Sequence, residues 1–189
     1  MDVEIQASIP RLQKHGKLHA LRRISVLGRI TYQILGFDGD STVKKYVIDK
    51  YLSAEAEAQR SQTPSIAVTL ENYKFKYAGR SELEGVHAFV FQVTPRKKRP
   101  GLYKGEIWID AATFLRIQEV GDMVKSPSVV IKHVSFVRRY SIYNGISVPR
   151  QVQSVVDTRL VGKAELTIDY TNFSAPAAQP EALSEVTAQ

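Results

Sequence analysis

The sequence predicts an α+β domain: a curved antiparallel sheet of about eight to nine strands, with one long helix packed on its concave face. Three observations carry this. Residues 86–119 read as three apolar runs with a period of two, separated by two breaks, the pattern of an antiparallel meander. One stretch only, residues 42–59, carries apolar side chains at steps of three and four, as an amphipathic helix does. Asn144 and Gly145, set between two further apolar runs, mark a type I′ hairpin turn. A sheet of so many strands has to coil, and coiling makes one face concave.

Taken in order, residues 1–16 contain Pro10 and Gly16 and read as an N-terminal arm. Leu18, Ala20, Arg22, Ile24 and Val26 alternate with their neighbours, and the pattern resumes after Gly28 through Ile30, Tyr32 and Ile34, giving two strands or one bent one. Asp40 or Ser41 caps the helix, because either side chain can accept from the first free backbone amides. Its stripe is Val43, Tyr46, Val47, Tyr51, Ala54 and Ala58, and Ser61 to Pro64 ends it. Ile66, Val68 and Leu70 alternate, then the phase slips before Tyr73, Phe75 and Tyr77.

The meander follows. Phe89, Phe91 and Val93 share one face; Pro95 breaks the run, and Arg96 to Gly101 is a polar loop. Ile107 and Ile109 lie on one face of the next strand, with Glu106, Trp108 and Asp110 on the other. Asp110 opens a tight turn through Thr113, since a turn-initial Asp accepts from the amides after it. Lys125 to Ser128 is a loop, Val129 to Tyr140 a long strand, and Val148 to Val156 and Ala164 to Tyr170 complete the sheet. From Ser174 to Gln189 there is almost nothing to bury, which predicts a disordered tail. Residues 17–173 therefore form one domain.

At 189 residues the chain can bury a core without staples, and it has no cysteine, which excludes disulfides and thiolate metal sites. No window approaches the ~20 apolar residues of a membrane-spanning helix. The start has no basic cluster and no apolar run, so no secretory signal is read there. No metal site, cofactor or catalytic residue is expected. His15 and His19 have a ligand-like spacing, but Gly16 and the strand pattern separate them. Asp38 to Asp49 imitates a calcium loop without its sixth-position glycine or its final glutamate. Nucleophile-elbow, phosphate-loop and dinucleotide motifs are all missing, and nothing reads as an enzyme.

With Tyr73, Phe75, Tyr77 and Gly79, then Thr94 to Lys98, Gly105 to Asp110 and Lys125 to Ser128 in view, the chain resembles the LolA-like group, the outer-membrane lipoprotein-sorting proteins and their bacterial relatives. The likeness spans residues 16–173 and is most specific over residues 73–128. It implies a half-open antiparallel barrel with a helical lid, and export to the periplasm or cell envelope with a signal peptide already removed. It also implies a hydrophobic ligand, an acyl chain or a lipoprotein. Two features depart from the group: one lid helix is read instead of several, and no arginine can be singled out as the latch of that lid.

Two function classes follow. In the first, an apolar ligand is lined by Phe75, Phe89, Phe91, Ile107, Trp108, Leu115 and Leu166. Arg96, Lys97, Lys98, Arg99 and Lys104 then meet an anionic membrane surface. In the second, the net charge of +7 serves a nucleic-acid-binding or scaffold domain. Stacking on single strands needs exposed aromatics among the basic residues, and only Tyr103 adjoins the basic loop, so nucleic acid is the weaker reading.

Overall fold

The structure is a computed structural model, and it describes residues 1–25, 29–60, 66–126 and 129–174. Ten strands form one antiparallel sheet. They are β1 (Asp2–Ile9), β2 (Lys14–Ile24), β3 (Ile30–Gly39), β4 (Tyr73–Leu83), β5 (Val86–Pro95), β6 (Tyr103–Asp110), β7 (Arg116–Met123), β8 (Ile131–Tyr143), β9 (Ile146–Thr158) and β10 (Lys163–Thr171). Their order is β3-β2-β1-β10-β9-β8-β7-β6-β5-β4, so β3 and β4 are edges and the sheet does not close. One helical rod, α1, links β3 to β4 and consists of Ser41–Val43, a π turn over Lys44–Ile48, and Asp49–Arg60. No helix among the described residues is long and apolar enough to cross a membrane.

Among the described residues the strands number ten, not eight or nine. Residues 1–16 are not an arm: Asp2–Ile9 is a strand inside the sheet, hydrogen-bonded to β10 on one side and β2 on the other. Val3, Ile5, Ala7 and Ile9 alternate and are all buried, a two-residue period that Pro10 cuts short. Conversely, Ile66 to Leu70 makes no strand but bends and turns ahead of β4. The expected breaks at Leu27-Gly28 and Ser61 to Pro64, and the tail from residue 175, lie outside the described residues.

Local chemistry sets the turns as read. Asn144 and Gly145 have φ of 49° and 76°, the two positive values a type I′ turn requires. Glu84 and Gly85, at 52° and 83°, repeat that device between β4 and β5. Asp110 accepts from the Ala112 amide at 3.0 Å and the Thr113 hydroxyl at 2.6 Å, which holds the β6–β7 turn. Asp40 accepts from the Thr42 amide at 2.7 Å and caps α1.

The helix buries Val43, Val47 and Ile48, whereas Tyr46, expected in the stripe, is exposed. The π turn explains the exchange: a five-residue step puts Ile48 rather than Tyr46 on the inner face. Ile48 packs with Ile5, Leu18 and Ile168, each with no exposed surface. The space under α1 is therefore filled by the protein itself.

The sheet is strongly curved. At the β4–β5 turn, both carboxylate oxygens of Glu84 accept from the single Nη2 of Arg150 of β9, at 3.0 and 2.9 Å. Four strand spacings separate β5 from β9, about 20 Å in a flat sheet, so this corner curls back over the sheet.

Candidate functional site

Pairing fixes which side chains share a face. On the face that α1 packs against, one row crosses all ten strands. It begins Phe37, Leu18, Ile5, Ile168, Val152 and ends Ile107, Phe91, Tyr77. Between Val152 and Ile107 stand Arg138 of β8 and Glu119 of β7. A charged seam thus divides one apolar face in two. On one side lies the cluster under α1; on the other lie Tyr73, Val93, Leu102, Tyr103, Ile107 and Phe136, with Val68, Phe91 and Ile109 beside them.

The seam is tightly bonded. The Glu119 carboxylate is 1% exposed and accepts from Arg116 Nη1 at 2.6 Å, Tyr140 Oη at 2.8 Å and Arg138 Nη1 at 3.4 Å. The Arg116 guanidinium lies 4.3 Å from the Tyr140 ring centre, and that of Arg138 lies 4.6 Å from the Phe136 ring centre. Both arginines remain about a third exposed, at 35% and 39%, so the seam is not a closed core. Burial and then the Glu119 charge push Tyr140 up to about 12. Burial, then the same carboxylate, raises Tyr103 well above the ordinary phenol range. Burial alone would lower Arg138, but Tyr140 and Glu119 outweigh it and hold it charged.

A second polar network ties α1 to the sheet. The Arg22 side chain is 8% exposed and donates to Glu55 of α1 at 3.0 Å and to Tyr32 Oη at 3.1 Å, while Tyr32 also donates to Glu55. The Arg22 guanidinium sits 5.7 Å from the Tyr170 ring centre. Sequence reading assigned no arginine to this duty, because Arg22 alternates on β2 like any strand residue and only the fold brings Glu55 to it.

The seven residues expected to line a ligand site do not share one space. Phe75, Phe89, Phe91, Ile107 and Leu166 point to the helix side. Trp108 does not: it pairs with Val90 and Gln118 on the opposite face, and its indole donates to Glu106 at 3.3 Å. Leu115 sits in the β6–β7 turn. Leu166 is buried beneath α1. What remains open is aromatic: Phe75 is 36% exposed, Tyr77 53% and Phe114 72%. The Phe91 ring lies 5.4 Å from that of Tyr77, and Phe89 stacks on Phe114 at 6.4 Å. Phe114 and the seam residues were not among the expected set. The first is in a left-handed turn conformation that hides its period, and the others meet only through strand register.

Two hollows lie elsewhere. One, of about 450 Å³, is a groove lined by Val120, Asp122, Ser135, Val137, Val155 and Thr167 among others. By pairing, these residues face away from α1. The other, of about 250 Å³, lies behind the Glu84–Arg150 bridge and is lined by Leu83, Asp110, Ile117, Tyr140 and Ile142 among others. Among the described residues no group of three or more His, Cys, Asp or Glu could hold a metal ion.

The basic loop is two things at once. Lys97 and Lys98 are exposed, as is Lys104 on β6. Arg96 instead donates from Nε to the carbonyls of Leu70 at 2.9 Å and Tyr73 at 3.2 Å, and Arg99 donates to Asn72 at 2.7 Å. Both arginines thus hold down the segment leading into β4. Changing Lys97 and Lys98 to serine should leave urea stability within about 0.5 kcal/mol. Arg96→Ser should cost about 1 kcal/mol through its lost carbonyl bonds. Equal effects from the two changes would contradict this division. Tyr103, the one aromatic beside the loop, is 3% exposed and cannot stack on a nucleic-acid base.

No protein-family model matches the chain, and no curated protein sequence matches it. Among solved structures it is similar to a DUF1329 family protein from Desulfovibrio piger, at a TM-score of 0.46 and 15% identity over 96% of this chain and 86% of that one. It is also similar to an outer membrane lipoprotein-sorting protein domain from Vibrio parahaemolyticus, at 0.42 and 11% over 95% and 86%. A LolA superfamily protein from Nitrosomonas europaea follows, at 0.39 and 11% over 93% and 86%. The LolA-like resemblance read from the sequence thus has counterparts among the structural matches. None of these overlays reaches a TM-score of 0.5, so the functional reading rests on the residues themselves.

Proposed function

We propose that this protein is a non-enzymatic binder of an apolar chain, an acyl chain or the lipid of a lipoprotein, acting in the bacterial cell envelope. One observation carries the reading. The apolar face that α1 covers on one side continues past the seam as Phe91, Phe89, Phe75, Tyr77 and Phe114, where no helix among the described residues covers it. Soluble proteins rarely leave contiguous apolar surface open, and such patches mark binding sites. Because the space beneath α1 is filled, the ligand lies beside the helix, over β4 to β7, rather than under it.

The mechanism is burial without bond chemistry. An acyl chain of about fifteen methylenes gains on the order of 12 kcal/mol gross at ~0.8 kcal/mol per methylene. Ordering of chain and protein offsets much of that. Lys97, Lys98 and Lys104 would steer the complex to anionic membrane surfaces, a contact of about 1 kcal/mol per charge.

Native mass spectrometry of protein purified from cells, with titration of a fluorescent fatty acid, tests the reading. The probe's own emission must be followed, because Trp108 faces away from the patch. Phe91→Asp should reduce probe binding at least about tenfold, since it sets an unpaired charge in the apolar contact. With Phe91 only half-buried, the melting temperature should fall far less than for a core change. If no lipid copurifies and no probe binds at micromolar concentration, the reading is wrong.

A further inference from the structure

We infer that the ligand's head is a single carboxylate, received in the seam by Arg138 and Arg116 with the Tyr103 hydroxyl. This rests on the reading of the protein as a binder of apolar chains and names the class of ligand: an unesterified fatty acid or a like monoanionic amphiphile.

Three observations converge. First, two guanidiniums face one carboxylate, which leaves one positive charge over where each arginine is about two-thirds covered by protein. A solvated surface would tolerate that excess, but a partly dry one calls for a counter-anion. One surplus charge fits a carboxylate better than a phosphate monoester, which carries close to two. Second, the Tyr103 hydroxyl belongs to a residue 3% exposed and, among the described residues, has no hydrogen-bond partner; the buried Arg116 Nε atom has none either. Buried donors left without an acceptor are destabilising, and an acceptor brought to them is correspondingly favoured. Third, the seam borders the open aromatic patch. Arg138 and Glu119 are followed in the same row by Ile107, Phe91 and Tyr77. A chain laid over those residues brings its head to the arginines.

Glu119 is the internal stand-in. Its carboxylate already accepts from Arg116, Arg138 and Tyr140, and shows the geometry in which this site holds such a group. Its longest bond, 3.4 Å to Arg138, is the one an incoming carboxylate would replace with a shorter contact.

The experiment compares a conjugated fluorescent fatty acid, cis-parinaric acid, with its methyl ester, which has the same chain and no charge. At neutral pH the wild-type protein should bind the acid at least roughly tenfold more tightly than the ester, the return of one charge-assisted bond. Arg138→Met should abolish that preference and leave ester binding unchanged. Thermal melting of the variant shows whether it folds. Tyr103→Phe deletes only an unpartnered hydroxyl, should fold in any case, and should weaken the acid several-fold with no effect on the ester. Equal binding of acid and ester by the wild-type protein, or a preference that survives both substitutions, overturns the carboxylate assignment while the apolar reading stands. Binding of neither probe overturns both.

Discussion

Glu119→Leu is expected to lower the stability of the protein by about 3 kcal/mol, measured by urea unfolding. Removing one member of a buried ion pair typically costs 3–5 kcal/mol, because the partner charge stays behind without compensation. The lower end applies here, since Arg116 and Arg138 are about a third exposed and water screens part of their repulsion. The Tyr140 hydroxyl also loses its acceptor. Adding Arg138→Met to Glu119→Leu should recover at least half of the loss, since it removes the stranded charge and keeps the bulk. A carboxylate ligand should stabilise Glu119→Leu more than wild type, because the variant has two arginines awaiting an acceptor. If Glu119→Leu costs less than about 1 kcal/mol, the network is solvated surface, and the seam loses its standing as a site.

How far the residues alone disclosed this arrangement can be followed element by element. The meander β5–β6–β7, the Asp110 turn and the Asn144-Gly145 hairpin were legible because each is set by chemistry within a few residues of itself. So was α1, but its expected stripe included Tyr46 and Ala54, which are exposed, and left out Ile48, which is buried. A π turn leaves no mark in a 3.6-residue period, and Tyr46 and Ile48 exchange roles through it. Strand β1 was legible in principle, for Val3, Ile5, Ala7 and Ile9 alternate without a fault. It lies at the chain start and is cut off at Pro10, and so reads like an arm.

The seam was out of reach. Arg116 and Glu119 belong to β7, and Arg138 and Tyr140 to β8, and whether they meet depends on a register that period-two patterns leave undetermined. Trp108 shows the same limit from the other direction. Its opposition to Ile107 was plain from alternation, but which face α1 would cover was not, and so it entered a lining set to which it does not belong. Across the sheet, faces could be assigned within each strand and not between strands.

Gly105→Ala should cost about 3 kcal/mol or more, the upper range for forcing atoms into a filled space. A Cβ built at Gly105 falls 1.9 Å from the carbonyl oxygen of Val120 and 2.5 Å from the Cα of Gly121. Both obstacles are backbone, so no side chain can swing away and β7 itself has to move. Gly121 is placed against β6 in the same way: its Cβ would meet the Lys104 carbonyl oxygen and the Tyr103 ring, each at 2.6 Å. The paired glycines let β6 and β7 approach closely and leave room for the Tyr103 ring against Gly121. This sets the phenol against Phe136, with ring centres 4.9 Å apart, on the same face as Glu119 and Arg138. Gly105→Ala should therefore weaken acid binding as well as stability, whereas Gly36→Ala on β3, with nothing within 4 Å of its Cβ, should do neither. Guanidinium unfolding and probe titration of the two variants make the comparison. A Gly105→Ala protein within about 1 kcal/mol of wild type would show that β7 shifts freely. The position of Tyr103 would then be incidental to the seam.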